Sequence, residues 1–140
     1  MKVRGDFWQV SAEDLIPHLA KPLQKYAQDY VDAGLYYALD PRFLAAISKF
    51  ETGHGTSYAF RKKNNAMGVS NSRGPISFES VRESIYHQAR SLNAAKGYYA
   101  KANTVDEIAA IYSPPGAGND PHGTNNQWGK TVGKFFKDMC

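Results

Sequence analysis

Apolar residues recur at helical spacing in separate stretches of this chain, and polar, glycine-rich segments divide them. From Pro22 onward Leu23, Tyr26, Ala27, Tyr30 and Val31 share one face, with Gly34 as the predicted stop. This tyrosine-rich face reads as core packing, not as a binding surface. Ser80-Val81-Arg82-Glu83 is a capping box ahead of a helix with Val81, Ile85, Ala89 and Leu92 on one side. Thr104-Val105-Asp106-Glu107 opens another helix, through Ile108, Ile111 and Tyr112. The last helix buries Trp128, Val132, Phe135, Phe136 and Met139. Near the N-terminus, Ser11 to Asp14 is a capping signal, and Pro17 either limits that helix to about a turn or makes it the start of a kinked one.

The best-marked stretch runs from Asp40 to Gly53. Asp40 caps the orphan amides of a first turn, Pro41 suits the first helical position, and Gly53 supplies a left-handed closing residue. Phe43, Leu44, Ala46, Ile47 and Phe50 surround most of the circumference, so the helix is expected to be buried. Glu51 sits in its last turn. The helix dipole is negative there, and apolar neighbours also disfavour a charge, so both keep the carboxyl protonated. A carboxyl held neutral near pH 6–7 suits a general acid. The plainer reading stands beside this one: a surface glutamate paired with Lys49 or Arg42.

Between residues 54 and 78 the periodicity disappears. Asn, Gly and Ser surround the basic run Arg61-Lys62-Lys63, predicting an irregular loop with short strands near Ala66–Ser70 and Pro75–Phe78. Residues 1–10 read as an irregular arm whose Phe7, Trp8 and Val10 pack on the body. The expected class is α+β, mostly α, with a small β lobe inserted after the Glu51 helix. The 140 residues suit one domain over the whole chain, and a monomer.

Composition narrows the function little. Hydrophobic residues at 42% and aromatics at 13% are ordinary for a globular protein. The charge of +4 and pI near 9.1 favour anionic partners, or describe a merely soluble basic domain. Lys and Arg are scattered among helices and loops, which argues against nucleic acid. The lone cysteine, Cys140, allows no internal disulfide. No stretch approaches the roughly 18 apolar residues of a membrane span. The first residues lack the apolar run of a signal peptide, which suits export by another route or a domain cut from something longer.

Several chemistries can be set aside. Glu51 and His54 have Glu-x-x-His spacing, but Gly53 breaks the helix and no second copy exists for a di-metal site. His18, His54, His87 and His122 show no close zinc pairing. Gly116-Ala117-Gly118 lacks the third glycine and helix start of a phosphate loop, and no Gly-x-Ser-x-Gly elbow appears. No metal or organic cofactor is implied, because proton transfer by a carboxyl group suffices.

The run from Ala46 through Glu51-Thr52-Gly53-His54-Gly55-Thr56-Ser57, followed by Asn64-Asn65-Ala66-Met67-Gly68-Val69, resembles the bacterial glucosaminidase domain of autolysins and flagellar muramidases. Those domains pair a helix ending in Glu-Ser-Gly-x-Gly-x-Ser with an Asn-Asn-Leu-Phe-Gly-Ile-like strand. They belong to the lysozyme superfamily, as do the lytic transglycosylases. The resemblance spans roughly residues 35–139 and implies a lysozyme-like fold. It assigns the general acid to Glu51 and a cleft-lining strand to Asn65, Met67, Gly68 and Val69, with Ser70 and His54 as further substrate contacts. Asn65 has a competing reading as a turn-setting residue. Tyr112 falls on a tyrosine of a Tyr-Ala-x-Asp-Pro motif, which here reads Tyr112-Ser113-Pro114-Pro115, with Asn119-Asp120-Pro121 further on. A catalytic and a buried structural role are both open for it.

The resemblance implies cleavage of peptidoglycan glycan strands at the bacterial wall, by a glucosaminidase, muramidase or lytic transglycosylase. Two-carboxylate glycosidases need a second acid across the cleft. Thr52 to Phe78 contains no Asp or Glu, so the β lobe supplies none. Glu51 is therefore expected to act alone, protonating the glycosidic oxygen and then helping the sugar close on itself. The alternative is a lysozyme-like module that binds wall glycan without cutting it.

Overall fold

The computed structural model describes residues 2–93, 101–112 and 126–140. Ser11 opens α1 (Ala12–Leu15), with its amide and hydroxyl both donating to Asp14 Oδ2 at 2.9 and 3.1 Å. A 3-10 turn, Ile16–His18, follows at Pro17, so of the two expected outcomes the short helix is the one found. α2 (Lys21–Gln24) carries Pro22 in its first turn and leads into α3 (Ala27–Tyr37). α4 is Pro41–Glu51 and α5 is Tyr58–Lys63. A two-stranded hairpin comes next: β1 (Ser70–Asn71) pairs antiparallel with β2 (Gly74–Pro75), Ser70 opposite Pro75. α6 (Val81–Leu92), α7 (Val105–Tyr112) and α8 (Asn126–Met139) complete the described chain.

Helix α4 occupies the centre because its apolar residues leave no polar face. Pro41 and every residue from Phe43 to Lys49 are buried. α3 packs on it from one side and α8 from another, while α6 backs α3 and α7 backs α8. Phe43 meets Trp128 and Phe136 edge to face, with centroids 6.4 and 6.2 Å apart. Tyr30 is fully buried in the α3–α4 contact, and its hydroxyl donates to Ser48 Oγ at 2.7 Å. The predicted core faces of α6 and α8 are likewise buried, apart from Phe135, which is partly so.

The structure differs from the sequence expectation in five places, the first being that the helix expected from Pro22 is two, α2 and α3, parted at Lys25 and Tyr26. Gly34 does not end its helix; α3 runs three residues further and stops at Ala38, in the left-handed region at φ 54°. The reason for a glycine is space: a Cβ there would lie 2.6 Å from the Leu39 carbonyl oxygen and 2.9 Å from Pro41 Cγ. The stretch expected to be loop contains α5. Ser57 caps it by accepting from Phe60 N, and Arg61, Lys62 and Lys63 fill its last turn, where the dipole favours cations. The two strands are shorter than expected and sit at the tip of the hairpin. Beyond the strands Ile76 N still donates to Val69 O at 3.0 Å, and the Asn65 side chain donates to the Val69 and Ile76 carbonyls at 2.8 and 2.9 Å, in place of further ladder bonds. Finally, Trp8 is 75% exposed, although Val10 is buried and Phe7 partly so.

The arm itself is tied to distant segments. Val3 is fully buried, and its carbonyl accepts from Asp40 N at 2.7 Å. The Arg4 guanidinium donates to the carbonyls of Ala102 and Leu92 at 2.5 and 2.6 Å.

Candidate active site

Both ends of α4 are built as the sequence predicts. Asp40 Oδ1 accepts from Arg42 N at 3.0 Å, and Oδ2 pairs with the Arg42 guanidinium at 2.7 Å. At the far end Gly53 takes φ 54°. His54 N donates to Lys49 O at 2.9 Å and Gly53 N to Phe50 O at 3.3 Å, the paired bonds of a Schellman closure. Thr52 reinforces it, donating its hydroxyl to Ser48 O at 2.6 Å and accepting from Gly55 N at 2.8 Å. The closing turn fixes the direction in which the Glu51 side chain leaves the helix.

Glu51 is half-buried at the start of that turn. Its Oε1 accepts from the indole N–H of Trp128 at 3.0 Å, across 77 residues of sequence. On another side lies Gly68, at φ 69°. A Cβ on Gly68 would overlap the carboxylate and stand 2.9 Å from Glu51 Cγ, so only glycine lets the loop backbone lie against the acid. Burial raises the Glu51 pKa from its ordinary value to about 7, and the Trp128 hydrogen bond acts the other way. Burial, not the helix end, is the main cause. The Schellman and Thr52 bonds already occupy carbonyls of the last turn, which blunts the dipole's negative end.

The bland partners for Glu51 are engaged elsewhere. Arg42 belongs to Asp40. Lys49 is buried with Nζ 4.6 Å from the Phe135 ring centroid, and burial lowers its pKa. Neither neutralises the carboxyl.

The loop that brings in Gly68 is held by Asn65, which is 1% exposed. Its side-chain nitrogen donates to Val69 O and Ile76 O, and its side-chain oxygen accepts from Val69 N at 3.1 Å and Met67 N at 3.4 Å. Its amide is thus spent on backbone, in the turn-setting manner. Ser84 of α6 pins the same loop by accepting from Ala66 N at 3.1 Å. Met67 is fully buried, so its side chain belongs to the core and only its backbone borders the site. Ser70 is exposed on β1. His54 is exposed, with its ring 5.3 Å from that of Phe135. Tyr112 is the last residue of α7; its side chain and the Asn119-Asp120-Pro121 segment lie outside the described residues.

Trp128 is the site residue that sequence reasoning placed only in the core. A buried indole must find an acceptor for its N–H, so its type signalled a polar partner but not which one. Among the described residues no group of three His, Cys, Asp or Glu side chains is placed to hold a metal ion. The chemistry on offer is a carboxyl that exchanges its proton near neutral pH, beside the half-buried Gly68 and Val69 and the exposed Ser70.

The sequence matches no protein-family model and no curated protein. Its structure is similar to two crystal structures of S. aureus autolysin E. One, in complex with the muropeptide NAM-L-Ala-D-iGlu, gives a TM-score of 0.75 at 14% identity, covering 99% of this chain and 70% of that one. The other gives 0.67 at 13% identity, covering 99% and 69%. At these identities the likeness shows the fold, which is lysozyme-like, mostly helical with one small hairpin.

Proposed function

With this autolysin-type, lysozyme-like fold as premise, we propose that the chain is a peptidoglycan-cleaving glycosidase whose general acid is Glu51. One observation carries the reading: a half-buried carboxyl at the closing turn of the central helix, at a pKa of about 7, flanked by Gly68 and Trp128. The crystallised muropeptide of autolysin E supports the choice of polymer. The whole of 1–140 acts as one catalytic unit and works as a monomer at the bacterial wall. Among the described residues no helix is long and apolar enough to cross a membrane.

Glu51 donates its proton to the oxygen between two sugars as the bond breaks. The β1,4 link of GlcNAc to MurNAc, in either order, is the substrate. With no acid between Thr52 and Phe78, the conjugate base of Glu51 assists an internal nucleophile of the sugar. The muramic C6 hydroxyl gives an anhydro product; the neighbouring N-acetyl oxygen leads to hydrolysis. Gly68 and Ser70 present the strip along which the glycan lies, with His54 at its edge. Asn65 and Met67 hold that strip in place. Tyr112 steadies the oxocarbenium-like charge.

The decisive experiment digests purified sacculi with wild type and Glu51→Gln. The variant is expected to lose at least about 100-fold in rate, the ordinary contribution of a general acid. Unchanged clearing would end the proposal, and retained binding without cleavage by the wild type would make the chain a glycan-binding module. Mass spectrometry of the products assigns the bond: anhydromuramic ends mark transglycosylation, reducing N-acetylglucosamine ends mark glucosaminidase hydrolysis.

A further inference from the structure

Trp128 faces Glu51 from one side of α8, and a row of lysines lies on the other. Lys130, Lys134 and Lys137 stand about 180–240° round the helix from Trp128, at 100° per residue. All three are exposed, and they border a groove of about 420 Å³ between α7 and α8. Gly129 and Gly133 form its floor on the α8 side; a Cβ on Gly129 would stand only 3.0 Å from Ala109 Cβ of α7. The backbone pairing of Lys2 with Thr104 brings a fourth exposed lysine to the groove's rim. Among the described residues none of these lysines has a carboxylate within ion-pair distance. Asp106 is the single acid among the described residues that line the groove.

We propose that this groove binds a flexible, base-free phosphodiester polymer, and so holds the protein on anionic polymer while the Glu51 face stays open. Three observations select that ligand. Along the helix axis the lysines follow one another at about 6 and 4.5 Å, at 1.5 Å per residue, a close row of cations that complements a repeating anion. They are ammonium groups on flexible stems, not planar guanidinium forks, and so suit repeating point charges more than paired carboxylate oxygens. Among the described residues no exposed aromatic ring lines the groove; the ring found there, Phe136, is 2% exposed. Single-stranded nucleic acid is gripped largely by stacking bases on aromatic side chains, and the described lining offers no such platform. Asp106 limits affinity and confines the polymer to the α8 side.

The test follows binding of fluorescent poly(glycerol phosphate) by anisotropy, with oligo-dT of equal charge and poly-glutamate as competitors, from 50 to 200 mM salt. The wild type is expected to prefer the glycerol polymer, with a log–log salt slope of about −2 for three phosphates neutralised. Lys130→Gln/Lys134→Gln/Lys137→Gln should weaken binding at least tenfold, and Asp106→Asn should strengthen it severalfold. Circular dichroism of the exposed-lysine variant should match the wild type. Glu51→Gln should bind as the wild type does, so the result is independent of whether the protein cuts glycan. Equal binding by the triple-lysine variant, no salt dependence, or preference for oligo-dT or poly-glutamate would each overturn the assignment.

Discussion

Glu51 owes its protonation to what covers it. Trp128 donates to the charged form, so its hydrogen bond lowers the carboxyl's pKa while burial raises it further. Trp128→Phe keeps most of the ring and removes the donor. The pH at which activity falls by half on the alkaline side should then move upward, with a stability loss of about 1–2 kcal/mol from the smaller side chain. A pH profile of kcat/KM with a melting curve checks both, and an unmoved alkaline limb would deny Trp128 its influence on the acid. The same raised pKa costs the fold. Between the ordinary carboxylate range and about 7, the unfolded chain has released a proton that the native state still binds, so stability declines as pH rises through that window. Glu51→Gln should therefore melt higher than wild type at pH 8, by up to about 2–3 kcal/mol, and lose most of that advantage at pH 4. Gly68 belongs to the same account, since its missing side chain is what allows backbone to cover the acid.

At the scale of elements, the helix that carries the acid is fixed by its turns. The α3–α4 junction folds back so tightly that Gly34 touches both Leu39 and Pro41. Gly34→Ala gains helix propensity yet must push that turn aside, so a net loss of about 1–3 kcal/mol is expected by denaturant unfolding. If the variant were more stable, the turn would have room that the distances deny. The same element explains a misread signal: glycine after an apolar run usually marks a stop, but here it marks a close approach. α5 was legible after the fact, with Ser57 at its start, three cations at its end and Asn64 in the left-handed region at φ 54°. It lacks only the length over which helical periodicity can be recognised.

Across the whole molecule, the N-terminal arm joins segments that are far apart in the chain. Arg4 bonds carbonyls at the end of α6 and ahead of α7, and Val3 meets the residue that caps α4. Arg4→Ala should remove about 2–3 kcal/mol, lowering the melting temperature by roughly 5–10 °C while leaving the Glu51 pH profile in place. A melting point within a degree of wild type would show that the arm is an accessory strap.

The sequence by itself determined most of the helices, both ends of α4 and the place of Glu51 in its last turn, because capping, dipole and periodicity act within a few residues of one another. It also brought Gly68 into view as part of a segment matched to the acid's helix. Only the tertiary structure decided that Trp128 is the partner of Glu51, that Arg42 and Lys49 are not, and that Asn65 spends its amide on the loop. Those outcomes depend on which surfaces of α4, α8 and the Asn65 loop come together. A side chain's type states what bond it needs, but only packing settles which distant group provides it.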